Sequence, residues 1–186
     1  ENIYFKALGE DFENFVARLG RDGEIEERLQ LPGPHWRHAG FLRPWDDRLL
    51  SLSFYRPVVD VLPRDLSGST ARVDSMALMG FDSPMLGRSR SFVLGDISQP
   101  PMLAMSGTPA GDYLFVLNAR PGWVHVDVFD REGMLVRALT EEDVWPRRNF
   151  FPMDLAVRER ADGSFDIAVA LIEPEPHVRL YRWTPQ

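Results

Sequence analysis

Short apolar runs alternate with polar connectors along the whole chain. Four of these runs are rich in aromatic or β-branched residues, which is typical of strands buried between neighbouring sheets. They span residues 2–8, 48–55, 112–118 and 165–171. Each is followed by a run in which apolar and polar positions alternate more clearly, at 14–19, 58–62, 123–129 and 178–183. The pattern predicts pairs of antiparallel strands in four successive units.

Glycine positions and further short runs complete each unit. Gly23 and Gly133 lie where a tight hairpin needs a positive φ, and returning strands are predicted at 25–29 and 134–139. A strand also precedes the central one at 39–43, 102–106 and 154–158. We therefore expect four antiparallel strands per unit and no helix, with a helix over residues 10–30 as the alternative. Residues 64–91 are rich in Ser, Gly and Met and are expected to form an insertion between units or an elongated outer hairpin.

An internal repeat supports this organisation. Residues 112–139 match residues 2–29 at a constant offset of 110, without a gap. Identities fall at Phe5/Phe115, Val16/Val126, Arg21/Arg131, Gly23/Gly133 and Leu29/Leu139. Because a weaker unit lies between the two matching segments, the offset spans two units. The prediction is a single domain over residues 1–186 with units at about 1–31, 36–97, 101–140 and 150–186.

The two strongest units resemble blades of a known fold. Asp112-Tyr-Leu-Phe-Val, followed by Val126-Asp-Val-Phe-Asp-Arg-Glu-Gly-Met-Leu-Val-Arg137, resembles blades of the NHL-like and TolB-like six-bladed β-propellers, and residues 154–181 resemble another. The resemblance implies an all-β fold, a propeller-type array of four-stranded antiparallel blades. The chain then covers about 3.5 blades. Three explanations of this blade count remain open. The chain is expected to be part of a longer propeller, to close into a small four-bladed ring, or to form an open array whose edges are covered by partners.

Composition narrows the range of partners. The net charge of −7 argues against nucleic acid and anionic membrane surfaces, because both need clustered positive charge. The chain has no cysteine, which excludes disulfides, thiolate metal ligands and cysteine nucleophiles. No run approaches the length of a membrane-spanning segment, about 18 apolar residues. We predict a periplasmic or extracellular location, with the cytoplasm left open.

The connectors between units are rich in tryptophan and arginine. These residue types are enriched at the energetic centres of protein interfaces, since they bury a large area and also donate hydrogen bonds. The sequence therefore predicts a set of partner-binding residues in the connectors: Trp36, Arg37, Trp45, Trp145, Arg147 and Arg148. The alternative is that Trp36 and Trp145 fill space between the units.

Catalytic and metal chemistry has less support in the sequence. The chain contains no Gly-x-Ser-x-Gly elbow, no His-Glu-x-x-His pair and no phosphate-binding glycine loop. His35 and His38 are expected to be connector histidines packed on a tryptophan, or functional residues if the acidic pair at 46–47 lies beside them. His125 is expected to be solvated or to pack between units. No trio of oxygen ligands is evident around the acidic residues, so neither a metal nor a cofactor is predicted.

These features together predict a non-catalytic protein–protein interaction module. The expected role is that of a scaffold or accessory subunit in a larger, membrane-associated periplasmic assembly of a bacterium. Two alternatives remain. The resemblance also implies a lactonase-like propeller hydrolase acting on a small polar substrate, and exposed tryptophans would suit a propeller that binds a small ligand or a glycan.

Overall fold

The chain forms antiparallel sheets from strands that are consecutive in sequence. The structure is a computed structural model that describes residues 2–11, 13–67, 73–120, 122–142, 152–172 and 175–185. Within these ranges there are four such sheets and two short helices. The predicted all-β class is confirmed, and each sheet has the up-and-down strand order of a propeller blade.

The sheets follow one another along the chain. Sheet 1 contains β1 (Ile3–Leu8), β2 (Asn14–Leu19) and β3 (Ile25–Leu31). Sheet 2 contains β4 (Gly40–Trp45), β5 (Arg48–Ser53), β6 (Val58–Pro63) and β7 (Asp74–Ala77). Sheet 3 contains β8 (Ala104–Ala110), β9 (Tyr113–Asn118), β10 (Trp123–Phe129) and β11 (Leu135–Glu142). Sheet 4 contains β12 (Pro152–Glu159), β13 (Phe165–Leu171) and β14 (His177–Trp183).

The predicted central runs and alternating runs are confirmed as strands in all four sheets. The expectation of four strands per unit is correct for sheets 2 and 3, whereas sheets 1 and 4 have three described strands each. By comparison with sheet 3, sheet 1 has no strand before β1 and sheet 4 has no strand after β14 within the described ranges. Part of the atypical segment 64–91 supplies β7, the outer strand of sheet 2.

The chain divides into two compact units. Unit 1 comprises residues 1–53 and 58–76, and unit 2 comprises residues 54–57 and 77–186. In unit 1, sheets 1 and 2 share an aliphatic core made of Val16, Leu29, Leu31, Leu49, Leu62 and Leu66. In unit 2, sheets 3 and 4 share a larger core that contains the rings of Tyr113, Phe115, Phe165 and Trp183, with neighbouring centroids 5.1–5.8 Å apart. Burial of these apolar faces is the main force holding each pair of sheets together.

The sequence repeat is also a repeat of strand register. Asn14 pairs with Leu31 in sheet 1, and Val124 pairs with Glu141 in sheet 3 at the same offset of 110. Both hairpins carry a register shift at equivalent places, between Arg18 and Leu19 and between Val128 and Phe129. Gly23 and Gly133 close the two hairpins with φ of 85° and 83°, as predicted. The duplicated sequence therefore encodes a duplicated hairpin, including its bulge.

The expectation of no helix is wrong. Helix α1 (His35–His38) lies between sheets 1 and 2 in sequence, and helix α2 (Leu86–Leu94) lies in the atypical segment. None of the residues of α2 is buried, so the helix has no apolar stripe that a sequence pattern would reveal. It ends at Gly95, where a φ of 85° allows the Gly95 and Asp96 N–H groups to cap the carbonyls of Phe92 and Ser91. The helical alternative for residues 10–30 is also wrong, since they contain β2 and most of β3.

Candidate functional site

The predicted partner-binding residues fall in two parts of the chain. Trp36 and Arg37 lie on α1 and are half-buried, and Trp45 ends β4 and is also half-buried. Trp145, Arg147 and Arg148 lie outside the described residues. Their role in binding a partner therefore stays a prediction.

Helix α1 is anchored to unit 1 by buried polar contacts. His38 is buried, and its Nδ1 lies 3.4 Å from Oδ2 of the buried Asp60 on β6. Its Nε2 lies 2.8 Å from the Pro32 carbonyl oxygen, and Lys6 Nζ donates to the His38 carbonyl oxygen at 2.8 Å. The expected carboxylate partner, the pair at 46–47, is exposed instead. The alternative that His38 pairs with the carboxylates at 46–47 is wrong, because β6 brings Asp60 beside its ring instead.

A small pocket of about 230 Å³ lies beside α1 in unit 1. Lys6, Asn14, His35 and His38 contribute its polar lining. His35 Nδ1 lies 3.1 Å from Asn14 Oδ1, and Asn14 Nδ2 donates to the Gly33 carbonyl oxygen at 3.2 Å. These polar groups hydrogen-bond to one another and to the backbone, so the pocket walls hold the connector in place.

A second buried network lies in sheet 3 and centres on His125. Its Nε2 lies 2.9 Å from Oδ1 of Asp127, which is 1% exposed and also accepts a 3.0 Å hydrogen bond from Asn118 Nδ2. Its Nδ1 lies 2.9 Å from the hydroxyl of Thr140 on β11. Because a carboxylate only accepts, the Nε2 that faces Asp127 carries a hydrogen. His125 is therefore buried rather than solvated, and its ring belongs to a hydroxyl–imidazole–carboxylate chain.

One face of sheet 4 is exposed along the length of its strands. The central strands β5 and β9 are buried on both faces except at their first residues, whereas β13 alternates between buried and half-buried positions. Strand β14 alternates in the same way, with Leu180 78% exposed and Val178 60% exposed. We call this surface the open face of sheet 4; its apolar members are Ala156, Ala168, Ala170, Val178 and Leu180, and its charged members are Asp154, Arg158, Asp166 and Arg182.

Arg158, Asp166 and Arg182 meet at one end of a groove on the open face. The groove has a volume of about 590 Å³, and Ala156, Ala168 and Leu180 are among its lining residues. Asp166 accepts hydrogen bonds from Arg158 at 3.0 Å, Arg160 at 3.1 Å and Arg182 at 3.2 Å. Hydrogen bonds from Arg158 and Arg160, and then from Arg182, lower the pKa of the Asp166 carboxyl to about 2. Three guanidinium groups therefore surround this carboxylate, and Arg160 also lies 3.9 Å from Asp162.

A cleft of about 420 Å³ separates β11 from β14 within unit 2. Arg137, Leu139 and Glu141 line it from β11, and Tyr181 and Arg182 line it from β14. The Tyr181 hydroxyl donates to Glu141, which also lies 3.4 Å from Arg179. Burial, reinforced by the Glu141 carboxylate, raises the pKa of the Tyr181 phenol well above its usual range.

No group of three or more His, Asp or Glu side chains is placed to hold a metal ion within the described ranges. In the same part of the chain, no helix is long and apolar enough to cross a membrane.

Comparison with known proteins gives similarity in fold only. No protein-family model matches the chain, and no curated protein matches it. The glutaminyl cyclase of Myxococcus xanthus is 10% identical over 98% of this chain and 75% of its own, with a TM-score of 0.47. A streptogramin B lyase is 10% identical over 98% of this chain and 55% of its own, with a TM-score of 0.48. The tail fibre of Staphylococcus aureus phage P68 is 12% identical over 98% of this chain and 40% of its own, with a TM-score of 0.48.

Proposed function

We propose that this chain is a protein–protein interaction module, a scaffold or accessory subunit whose docking surface is the open face of sheet 4. The observation that carries the proposal is the exposure of Leu180 and Val178 on a sheet face whose other apolar positions are alanines. An apolar sheet face is normally covered by a second layer, because its burial stabilises the sheet. A partner surface is the layer that we assign to this face.

The charge of the open face indicates the chemistry of that partner. The chain as a whole carries −7, and the open face carries two arginines, Arg158 and Arg182, beside two aspartates, Asp154 and Asp166. Complementary potentials steer association and select partners. We therefore expect the partner protein to present an apolar patch with groups of both charges at its edge.

The test compares two matched leucine variants. Leu180 lies on the open face and is 78% exposed, whereas Leu94 lies on α2 and is 68% exposed. Immobilised wild-type chain, Leu180→Asp and Leu94→Asp are used to capture proteins from an extract of the source cells, and each captured protein is quantified by mass spectrometry. We expect at least one protein to be lost about tenfold or more with Leu180→Asp and retained with Leu94→Asp. Equal capture by the two variants would contradict the proposal.

A second candidate function, hydrolysis of a small polar ester, is favoured by the Thr140–His125–Asp127 chain. The 2.9 Å contacts place a base against an exposed hydroxyl and a buried carboxylate behind the base. The test is hydrolysis of p-nitrophenyl acetate by the wild-type chain, Thr140→Val and the control Thr108→Val. A nucleophilic Thr140 predicts a loss of about 100-fold in Thr140→Val alone. Equal rates in all three would leave the network with a structural role only.

A further inference from the structure

Two methionines lie side by side on the surface of unit 2. Met79 and Met134 form a parallel β-bridge, in which the Met79 N–H donates to the Gly133 carbonyl oxygen at 2.8 Å and the Leu135 N–H donates to the Met79 carbonyl oxygen at 2.9 Å. Backbones paired in this way lie about 4.8 Å apart, and paired residues direct their side chains to the same face. The two thioether side chains therefore leave neighbouring positions on one face.

A close backbone approach fixes this pair in place. Gly80 follows Met79 with a φ of 87°, and a Cβ at this position would lie 2.9 Å from Leu135 Cβ. The segment comes this near to β11 because Gly80 has no side chain. Leu78 and Phe81 are each 8% exposed and anchor the segment on both sides of the bridge. The backbone of the methionine pair is thus set by the fold.

The pair is also the most exposed part of the methionine content. Met79 is 54% exposed and Met134 is 51% exposed, which makes them the two most exposed methionines among the described residues. Methionine is normally a buried residue type that fills irregular space in a core. These two side chains do not fill a core, so their sulfur atoms lie at the surface.

The chemistry of a thioether pair narrows the class of ligand. A thioether is a neutral, soft ligand that suits Cu(I), whereas zinc takes thiolate, imidazole or carboxylate ligands, and calcium and magnesium take oxygen. The chain has no cysteine, so thioethers are its only sulfur ligands. Methionine is unbranched with three rotatable bonds, so two sulfurs that leave adjacent backbone positions can turn toward one ion. A net charge of −7 also favours a cation over an anion.

We propose that Met79 and Met134 bind one soft monovalent cation of the Cu(I) class between their sulfur atoms. Both thioethers coordinate the ion directly, and binding releases no proton and transfers no electron. The site lies outside the open face of sheet 4 and uses none of its residues. It therefore adds a metal-binding function to the proposed interaction module and does not depend on that module's partner.

The probe is Ag(I), a soft monovalent ion that stays in one oxidation state during the measurement. Silver nitrate is titrated in chloride-free buffer into a chain that is isotope-labelled at its methionine methyl groups. The chain has seven methionines, and single leucine replacements assign their NMR signals. We expect the signals of Met79 and Met134 to shift together and to saturate at one equivalent of Ag(I). An excess of zinc should not reverse the shifts.

Reciprocal variants test whether the two sulfurs share one ion. Met79→Leu should weaken Ag(I) binding about tenfold or more and remove the shift of the Met134 signal, because a single thioether remains. Met134→Leu should have the same effect on the Met79 signal. Met153→Leu is the matched control, since Met153 is also exposed, at 41%, and lies outside the pair. Leucine conserves the volume of methionine, so all three variants should fold.

Three results would overturn the site. One is that the Met79 and Met134 signals shift no more than the Met153 signal. Another is an unchanged Met134 shift in Met79→Leu, which would show that the two sulfurs do not share an ion. The third concerns pH: a thioether carries no proton, so the affinity read from the methionine signals should be equal at about pH 5 and pH 7. A steep loss toward the lower pH would assign the ion to histidine instead.

Discussion

At the scale of single residues, the buried polar groups are the features that sequence predicts least well. The pairing of His125 with Asp127 follows from their spacing of two on a predicted strand, which places both on one face. The pairing of His38 with Asp60 joins residues on two different elements. The acidic pair at 46–47 is nearer to His38 in sequence, but it is not the carboxylate partner of the ring. Local spacing identifies the first pair, whereas the second depends on how β6 lies under α1.

Removal of Asp127 should destabilise the protein. Asp127→Ala leaves the His125 ring nitrogen and the Asn118 amide without their buried acceptor. Unsatisfied buried groups of this kind cost about 3 kcal/mol in the free energy of unfolding. Urea unfolding measures the change, and Asp96→Ala, at an exposed position in the same unit, is the matched control. An effect of Asp127→Ala as small as that of Asp96→Ala would show that the network is not stabilising.

The Asp166 cluster should make stability depend on pH in the acid range. The folded-state pKa of about 2 lies below the ordinary 3.8, so the carboxylate stabilises the fold above the unfolded pKa and this contribution is lost as pH falls from about 4 to 2. The difference in thermal midpoint between the wild-type chain and Asp166→Asn should therefore shrink over this window. Carboxyl-carbon NMR gives the pKa directly, and Arg158→Gln should raise it. A wild-type titration midpoint near 3.8 would contradict the arginine contacts.

At the scale of elements, strands and hairpins are largely readable from the sequence. Apolar runs located β1, β5, β9 and β13, and glycine positions located the two repeated hairpins. Helix α2 was missed because it buries no residue and so has no apolar periodicity. The open face was also missed, although Val178, Leu180 and Arg182 alternate with Tyr181 and Trp183. Such alternation shows that a strand has two faces, but exposure depends on whether a neighbour covers each face.

Two glycines with similar backbone angles should respond differently to alanine. Gly80 and Gly163 have φ of 87° and 76°, so alanine costs about 1 kcal/mol of strain at each. A Cβ at Gly80 would lie 2.9 Å from Leu135 Cβ, whereas a Cβ at Gly163 would meet no atom within 4 Å. Urea unfolding should show a clearly larger loss for Gly80→Ala. Equal losses would mean that the segment around Gly80 moves away from β11 at little cost.

At the scale of the whole molecule, the repeat predicted the succession of sheets. The closure of a ring and the likeness to NHL-like or TolB-like propellers stay predictions, because the repeat specifies hairpins rather than the placement of sheets. Sheets 2 and 3 have four strands, whereas sheet 4 has three described strands, an exposed face and a cleft between β11 and β14. The docking surface that we propose belongs to this sheet.

The central claim, that the open face of sheet 4 is a free docking surface, is tested most directly by single-cysteine labelling. The natural chain has no cysteine, so Leu180→Cys and Leu94→Cys each provide one thiol. Maleimide labelling rates are measured for the isolated chain and for the chain with its captured partner. The account predicts comparable rates for both thiols in isolation and protection of the thiol at position 180 alone in the complex. A thiol at position 180 that is unreactive in isolation, or equally reactive in both states, would contradict it.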